Sequence, residues 1–497
     1  MDNEDIVRGN AVIRMCGDVD IVVPDQLQLM TTYVLREQED WFEDEIKFLR
    51  RYLRTGMHVL DVGANYGLYA LSMAHSVGES GRVVAVEPCS STAAFLRASV
   101  SLNGFGNVEV VQSALSNRAG TAQLHLGENS ELNALTVAVG TSDSSETVEL
   151  KTLDALAEEC RLDRLDFLKM DAEGEEQRII EGGHAFLDKH SPLIMYEIKA
   201  GNTLNLDIAA DFSDLGYDSY RLLPGLDMLV PAEVSAGVDP FQLNFFCCKK
   251  DRAEMLSREG ILVTDTGSSH CVAEAEHGLE ELAQLPFATG YRAKWLRAGP
   301  SSLAQFDECA AVLRLYAAAH EKRLSSAERY AALRAAHRRM GALCQTAENA
   351  YRLGTYARIA WEIGQRAQAV DALARALNAL NGVSSPDVSA EPFLPASPHF
   401  DYVDPAGRER QWLIASILDQ MLSLATFSSY FARLDYLKHF EFLKENGFQR
   451  PEMERRRQLL AMRAGLQAMP TPSQLLAESR PDNLNPSFWG RRQAESP

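Results

Sequence analysis

Five side chains of this 497-residue chain sit where short apolar runs end: Asp61, Glu87, Ser113, Asp171 and Glu197. A sixth, Glu173, follows two residues after Asp171. A carboxylate in such a place can accept hydrogen bonds from a diol, face a cation, or take the proton of a weak nucleophile. Asp61 opens the stretch Asp61-Val62-Gly63-Ala64-Asn65-Tyr66-Gly67. Gly63 and Gly67 let the backbone turn tightly and approach a ligand closely, with Ala64 and Asn65 on the turn between them. The helix expected behind this turn points its free N–H groups at the same ligand. Glu87 closes the run Arg82-Val83-Val84-Ala85-Val86, about 20 residues on, where an acid suits a ribose diol.

Two cofactor classes use a glycine turn followed by an acid. A dinucleotide site wants G-x-G-x-x-G, because a pyrophosphate lies against bare backbone. Here Asn65 stands where the second glycine would be, and Asp61 would repel a pyrophosphate. An acid there fits a phosphate-free cofactor with a positive centre, S-adenosylmethionine. The cofactor-binding set is then Asp61, Gly63, Ala64, Asn65, Gly67, Glu87, Ser113 and Asp171, with Ser113 toward the adenine ring.

The elements that must hold these residues alternate. Strands are expected at 57–62, 82–87, 107–112, 166–170, 193–197, 217–222 and 242–249, with helices at 66–76, 91–103, 175–187 and 206–215 among them. Such alternation implies a largely parallel sheet covered on both faces, with ligands beyond the carboxyl ends of the strands. Residues 121–126 and 147–150 read as a paired excursion around a polar loop, 127–146, and Thr152 as the cap of a helix to Glu159. A small hairpin precedes, then a helix from Tyr33 to Leu53. Trp41, Phe42, Ile46, Phe48, Leu49 and Tyr52 on that helix either pack on the sheet or close over the cofactor. From about residue 255 strands vanish. Residues 303–380 and 410–467 read as consecutive helices, with a Pro- and Ser-rich linker from Asn381 to Gly407 and an irregular tail after Pro470. Leu353 to Leu380 has the spacing of one tetratricopeptide-type helical hairpin. The domains expected are a lid or helix segment at 1–55, a cofactor-binding domain at 56–252 and an α-helical domain at 253–497. Residues 1–250 are expected to fold alone and keep cofactor binding.

Composition bounds the partners. With 46% hydrophobic and 24% charged residues the chain builds a substantial core. A net charge of -20 argues against a duplex nucleic-acid surface and against an anionic membrane. No apolar run reaches the length of a membrane span, and the acidic N-terminus lacks a signal peptide's apolar region, so a cytoplasmic protein is expected. The 8 cysteines are scattered without metal spacing and read as reduced thiols, with Cys247 and Cys248 on opposite faces of a strand. His75 and His184 fall within helical patterns and read as packing or surface residues.

Trp41-Phe42-Glu43-Asp44-Glu45, the glycine stretch from Asp61 to Gly67, Glu87-Pro88 and Lys169-Met170-Asp171-Ala172-Glu173-Gly174 together resemble the FkbM-type methyltransferases over roughly residues 20–250. The Asp-x-Glu-Gly is the more specific mark. The resemblance implies a Rossmann-like class I S-adenosylmethionine-dependent methyltransferase, an α/β fold with a mostly parallel seven-stranded sheet whose last strand is antiparallel, here followed by an all-α, tetratricopeptide-like C-terminal domain outside the resemblance. It also implies O-methylation, commonly of sugar or polyketide hydroxyls.

Methyl transfer from a sulfonium to an alcohol is an in-line displacement, served by alignment and by a general base. The catalytic candidates are Asp171, Glu173 and Glu197. Asp171 serves equally well as a partner of the cofactor's ammonium, Glu173 as a helix N-terminal carboxylate, and Glu197 as the ion-pair partner of Lys199. The three carboxylates together suit a divalent cation, but no ligand spacing demands one, and no metal is expected. The function expected is an O-methyltransferase acting on a sugar, glycan or secondary metabolite. The alternative is a helical-repeat scaffold whose methyltransferase domain acts on a protein. No Asn/Asp-Pro-Pro-aromatic motif of amino-methylating enzymes is present. The partner expected is a glycan or small-molecule hydroxyl acceptor, with a protein partner or self-association left to the helical half.

Overall fold

The computed structural model describes residues 3–127, 145–200, 203–233, 237–264, 266, 275, 277–296, 304–380 and 391–466. Most of the loop expected at 127–146, the first ten residues of the expected linker and the tail after Pro470 lie outside the described residues.

The central sheet consists of β1 (His58–Val62), β2 (Arg82–Val86), β3 (Val108–Val111), β4 (Phe167–Met170), β5 (Leu193–Glu197), β6 (Tyr217–Leu223), β7 (Met228–Pro231) and β8 (Asn244–Lys249). Their spatial order is β7-β6-β8-β5-β4-β1-β2-β3. β1 to β5 pair in parallel, and β8 runs antiparallel between β5 and β6. The sheet therefore has eight strands rather than the expected seven. The addition is β7, which turns back from β6 and pairs with it from Tyr220–Pro231 to Leu223–Met228. It forms because Met228, Leu229 and Val230 are all buried, Met228 and Val230 against the C-terminal helices and Leu229 against the sheet's own core.

The strands are apolar on both faces, as a sheet covered on both sides requires. Val59, Ala85, Phe167, Met195, Phe246 and Cys248 pack with the helices Asp44–Tyr52 and Leu68–Val77. Leu60, Val86, Leu168, Ile194, Phe245 and Cys247 face the helices Leu153–Glu159, Glu176–Glu181 and Asp207–Asp214. Cys247 and Cys248 thus point to opposite faces, and the described cysteines are free thiols. The excursion is present, Gly120–His125 pairing antiparallel with Ser145–Lys151, and the Thr152 hydroxyl accepts from the Ala155 N–H as the cap.

Two expected helices are broken, each for a local reason. Residues 175–187 form Glu176–Glu181 and His184–His190, split at Gly182-Gly183. A Cβ on Gly182 would lie 2.4 Å from the Ser116 carbonyl and one on Gly183 2.5 Å from Leu153, so the chain passes too close for side chains. The helix expected from Tyr33 to Leu53 is two, Met30–Gln38 and Asp44–Tyr52. Glu39 adopts φ 58°, and Trp41, Phe42 and Glu43 fall in the non-helical link.

Beyond β8 the described residues are helical apart from one bridge, Leu229 to Leu262. Ala350–Glu362 and Arg366–Leu380 make the expected helical hairpin. The described part of the expected linker is packed instead of loose: Phe393, Leu394 and Phe400 are buried in the helical core, because that stretch carries large apolar side chains among its prolines and serines. The helical half clamps the N-terminal segment. Glu37, fully buried, accepts from the Ser429 N–H at 3.0 Å and lies 3.4 Å from Arg456 of the helix Pro451–Arg463. Tyr33 meets Ser429 at 2.9 Å.

Candidate active site

β1, β2, β4 and β5 end on one edge, around a cavity of about 530 Å³. At the end of β1 the chain turns through Gly63 at φ 76°, Asn65 at φ 50° and Gly67 at φ 100°. The turn is tied to β2 by the Gly63 and Ala64 N–H groups, which donate to the Val86 carbonyl at 3.0 Å. A Cβ on Gly63 would lie 1.7 Å from the Asp171 carbonyl oxygen, so only glycine fits where β1 and β4 exit side by side. The Leu68–Val77 helix starts at Gly67, which has no side chain to cap it.

Glu87 lines this cavity, 6% exposed. One of its oxygens accepts the Asn65 N–H and the other the Cys89 N–H, each at 2.9 Å. Burial pushes its pKa up to about 7, against the lowering by those two hydrogen bonds. Ser113 is fully buried, lines the cavity and has a hydroxyl with no hydrogen-bond partner among the described residues. Gly63, Ala64, Asn65, Asp171, Glu173 and Glu197 line it as well.

Asp61 and Gly67 do not. Asp61 is fully buried one residue before the end of β1, in register with Lys169 of β4. Among the described residues neither of its oxygens has a hydrogen bond of good geometry; the Ala70 N–H lies nearby and the Lys169 Nζ is 3.7 Å away. Burial raises its pKa to about 6 despite Lys169. Gly67 is a packing glycine, since a Cβ there would lie 2.5 Å from Leu96.

Asp171, Glu173 and Glu197 are gathered at the cavity, with oxygens within 4.8 Å of one another. Lys169 Nζ donates to Asp171 at 2.9 Å. Burial works against the Lys169 charge, but Asp171 and Asp61 outweigh it and hold its pKa above the ordinary value. Burial and then the charges of Asp171 and Glu173 push Glu197 up to about 11, so it carries a proton at neutral pH. Glu173 stands at φ 50°, before Gly174 at φ 96°. The acid that serves the following helix is Glu176, which accepts from the Ala172 N–H at 2.8 Å. Glu197 makes no ion pair with Lys199, whose Nζ reaches the Pro240 carbonyl instead. The trio has the oxygen chemistry to hold a hard divalent cation. Hydrogen-bond donors and acceptors alone also satisfy it.

Four groups of this site were given no role from the sequence, though Glu43 and Lys169 stand in the motifs that carry the resemblance. Glu43, in the link between the two N-terminal helices, accepts from Trp41 Nε1 at 3.0 Å, the Tyr69 hydroxyl at 2.6 Å and Asn244 Nδ2 at 3.0 Å. Burial raises its pKa. Lys169 was signalled by a lone charge inside the apolar run Phe167-Leu168-Lys169-Met170. Phe427 and Phe431 reach the cavity from the helical half, with no local signal. Trp41 and Phe42 line the cavity, whereas Ile46, Phe48, Leu49 and Tyr52 pack on the sheet, so both expected roles are filled, by different residues. His75 and His184 are exposed.

The site fits S-adenosylmethionine. Glu87 offers a buried acceptor for a ribose diol, Ser113 an unsatisfied hydroxyl for a polar ring, and the Gly63 turn a bare backbone approach. No curated protein matches this sequence. Among solved structures, the chain is similar to a methyltransferase FkbM from Methylobacillus flagellatus KT, with 16% identity, a TM-score of 0.26, and 39% of this chain aligned to 43% of that one. It is similar to a SAM-dependent methyltransferase from Aquifex aeolicus, with 15% identity, a TM-score of 0.25, and 50% of this chain aligned to 97% of that one. It is also similar to Aeropyrum pernix fibrillarin with natively bound S-adenosyl-L-methionine, with 13% identity, a TM-score of 0.25, and 49% of this chain aligned to 83% of that one. The family match is to a defined stretch that starts at Asp61 and ends inside β6, and so takes in the glycine turn, Glu87, Ser113 and the carboxylate trio: residues 61–219 match the methyltransferase FkbM domain.

Proposed function

We propose that this chain transfers a methyl group from S-adenosylmethionine to a hydroxyl of a sugar, a glycan or a secondary metabolite. The observation that carries the reading is the trio Asp171, Glu173 and Glu197, three carboxylates within reach of one another on the wall of the cofactor cavity. An aliphatic hydroxyl is a weak nucleophile and gains about 10²–10⁴-fold from a positioned base.

The donor, when bound, supplies an electrophilic methyl on a sulfonium. Glu87 holds the ribose, the Gly63-Ala64-Asn65 backbone lies against the cofactor, and Ser113 meets the adenine end. Trp41, Phe42 and Phe427 exclude water from the reacting end, and alignment there is worth up to about 7–11 kcal/mol. Within the trio, Lys169 holds Asp171, and burial keeps a proton on Glu197. Glu173 is assigned the role of taking the acceptor's proton, and Glu197 that of a donor that orients the acceptor oxygen.

Incubation with methyl-labelled S-adenosylmethionine and host extract, split into small-molecule, glycan and polypeptide fractions, tests the reading. Label is expected in the small-molecule or glycan fraction. Label in polypeptide alone overturns the acceptor class, and absence of both label and S-adenosylhomocysteine binding overturns the reading as a whole.

A further inference from the structure

A second cavity, of about 840 Å³, lies behind the cofactor cavity and shares Trp41, Phe42 and Phe427 with it as a common wall. The N-terminal segment forms one side and the C-terminal helices the other. Four cations on its wall are neutralised at close range: Arg14, Lys47, Arg450 and Arg456 each have a carboxylate within 3.0 Å.

Arg366 is different. It is the first residue of the helix Arg366–Leu380, half-buried, with no ion pair among the described residues. Its guanidinium sits in the corner of two rings that meet edge to face, 4.7 Å from the centre of Phe241 and 4.4 Å from that of Phe427. Nε donates to the Leu424 carbonyl at 2.8 Å, which fixes the plane of the group. The terminal nitrogens make no hydrogen bond among the described residues, and the residue lines both this cavity and a smaller one of about 60 Å³ beside it. Burial lowers its pKa to about 10, which still leaves it charged at neutral pH. Asp44, Asp239 and Glu45 favour its charge only from beyond ion-pair distance, and a planar guanidinium is suited to bidentate capture of an oxyanion.

We propose that this second cavity is an anion-binding subsite for the acceptor, where Arg366 binds a carboxylate or phosphate of an anionic saccharide on the far side of the Trp41, Phe42 and Phe427 wall from the carboxylate trio. The inference rests on the methyl-transfer reading and narrows its acceptor to one bearing a negative charge. Phe427 takes part in both cavities, so filling the anion subsite bears on the wall of the methyl-transfer site. The aromatic faces of Trp41 and Trp361 give the sugar ring apolar surface.

The full chain is titrated with three probes, D-glucuronate, glucose 1-phosphate and glucose, followed by tryptophan fluorescence in the presence of saturating S-adenosylhomocysteine. Both anionic probes, or one of them, are expected to bind, glucose at least tenfold more weakly; which anion binds tighter distinguishes a carboxylate source from a phosphate source. Arg366→Met is expected to weaken the anionic probes at least tenfold and to leave S-adenosylhomocysteine binding unchanged. His399→Glu, at an exposed position on the same wall, is expected to weaken them severalfold without a change in folding, and serves if the Arg366 variant does not fold. Equal binding of charged and neutral probes, or anion binding indifferent to both substitutions, overturns the subsite. With S-adenosylhomocysteine bound and a neutral hydroxyl acceptor methylated equally by wild type and Arg366→Met, the subsite falls while methyl transfer stands. Failure of the wild type to bind S-adenosylhomocysteine fells the methyl-transfer reading and the acceptor role built on it.

Discussion

Substituting Glu87→Gln tests the cofactor site through its protons. In the free protein, burial lifts Glu87 to about 7, from an ordinary 4.5. Ribose hydroxyls donate to the ionised carboxylate, so the site sheds a proton as the ligand enters. The dissociation constant of S-adenosylhomocysteine then rises about tenfold, or about 1.4 kcal/mol, between roughly pH 8 and pH 6. At about pH 7 each ligand bound releases about half a proton. Asp61, at about 6, adds at most about a further twofold at the acid end; Asp61→Asn removes that part. The same shift has a stability consequence with a fixed sign. The folded state binds more protons than the unfolded one between 4.5 and about 7, so this group's contribution to the free protein's stability is present at acid pH and lost as pH rises through 7. The gain in Tm on adding S-adenosylhomocysteine should therefore grow from about pH 6 to about pH 8. In Glu87→Gln the ligand binds more weakly by about 1.5–3 kcal/mol, because a charged acceptor is lost, and the pH dependence flattens. Isothermal titration in two buffers of different ionisation enthalpy reads both the affinity and the proton count. A wild type that binds without proton release, or a Gln variant that keeps the full pH slope, refutes the argument.

Gly63→Ala should abolish S-adenosylhomocysteine binding and lower the Tm, since the added Cβ meets the Asp171 carbonyl at 1.7 Å; binding within twofold of wild type would contradict it. Lys169→Met leaves Asp61 buried without a cation and should cost about 3–5 kcal/mol in urea unfolding, most of it recovered when Asp61→Asn is added; no loss would mean the charges are independent. Glu173→Gln should lower kcat by about 10²–10⁴-fold with S-adenosylhomocysteine affinity unchanged, and EDTA should leave turnover untouched; loss in EDTA restored by Mg²⁺ would turn the trio into a cation site. A fragment of residues 1–250 should be insoluble or bind S-adenosylhomocysteine at least tenfold more weakly, in contrast to what the sequence suggests, because it uncovers Tyr33, Met228 and Val230 and lacks Phe427 and Phe431.

The strand-end acids were legible because a buried strand leaves a local trace, a short apolar run closed by a polar residue, and parallel topology then brings the ends together. Glu87, Ser113, Asp171 and Glu197 reach the cavity on that logic alone, and Glu173 follows Asp171 into it. Asp61 obeyed the same rule and still lies beneath the floor, because it stands one residue short of the strand's end, where the pleat turns it toward Lys169. The break at Glu39 left no helix-breaking residue to read: neither Gly nor Pro occurs between Met30 and Tyr52. The interruption comes from tertiary bonds, Glu43 to Tyr69 and Asn244. Phe427 and Phe431 were illegible for the plainer reason that contacts between residues hundreds of positions apart have no periodicity.

The clasp between Glu37 and Ser429 joins residues 392 positions apart. During synthesis at ordinary speed, the Glu37 side chain waits roughly 20–80 s before its partner leaves the ribosome. The glycine turn, Glu87 and the carboxylate trio are all made by then, yet Phe427 and Phe431, which close the cavity, arrive about 230 residues after Glu197. A nascent chain that stalls or is cut before residue 427 holds the reactive carboxylates with no roof over them. The early domain thus gains this wall only once the helices beyond residue 409 have been made.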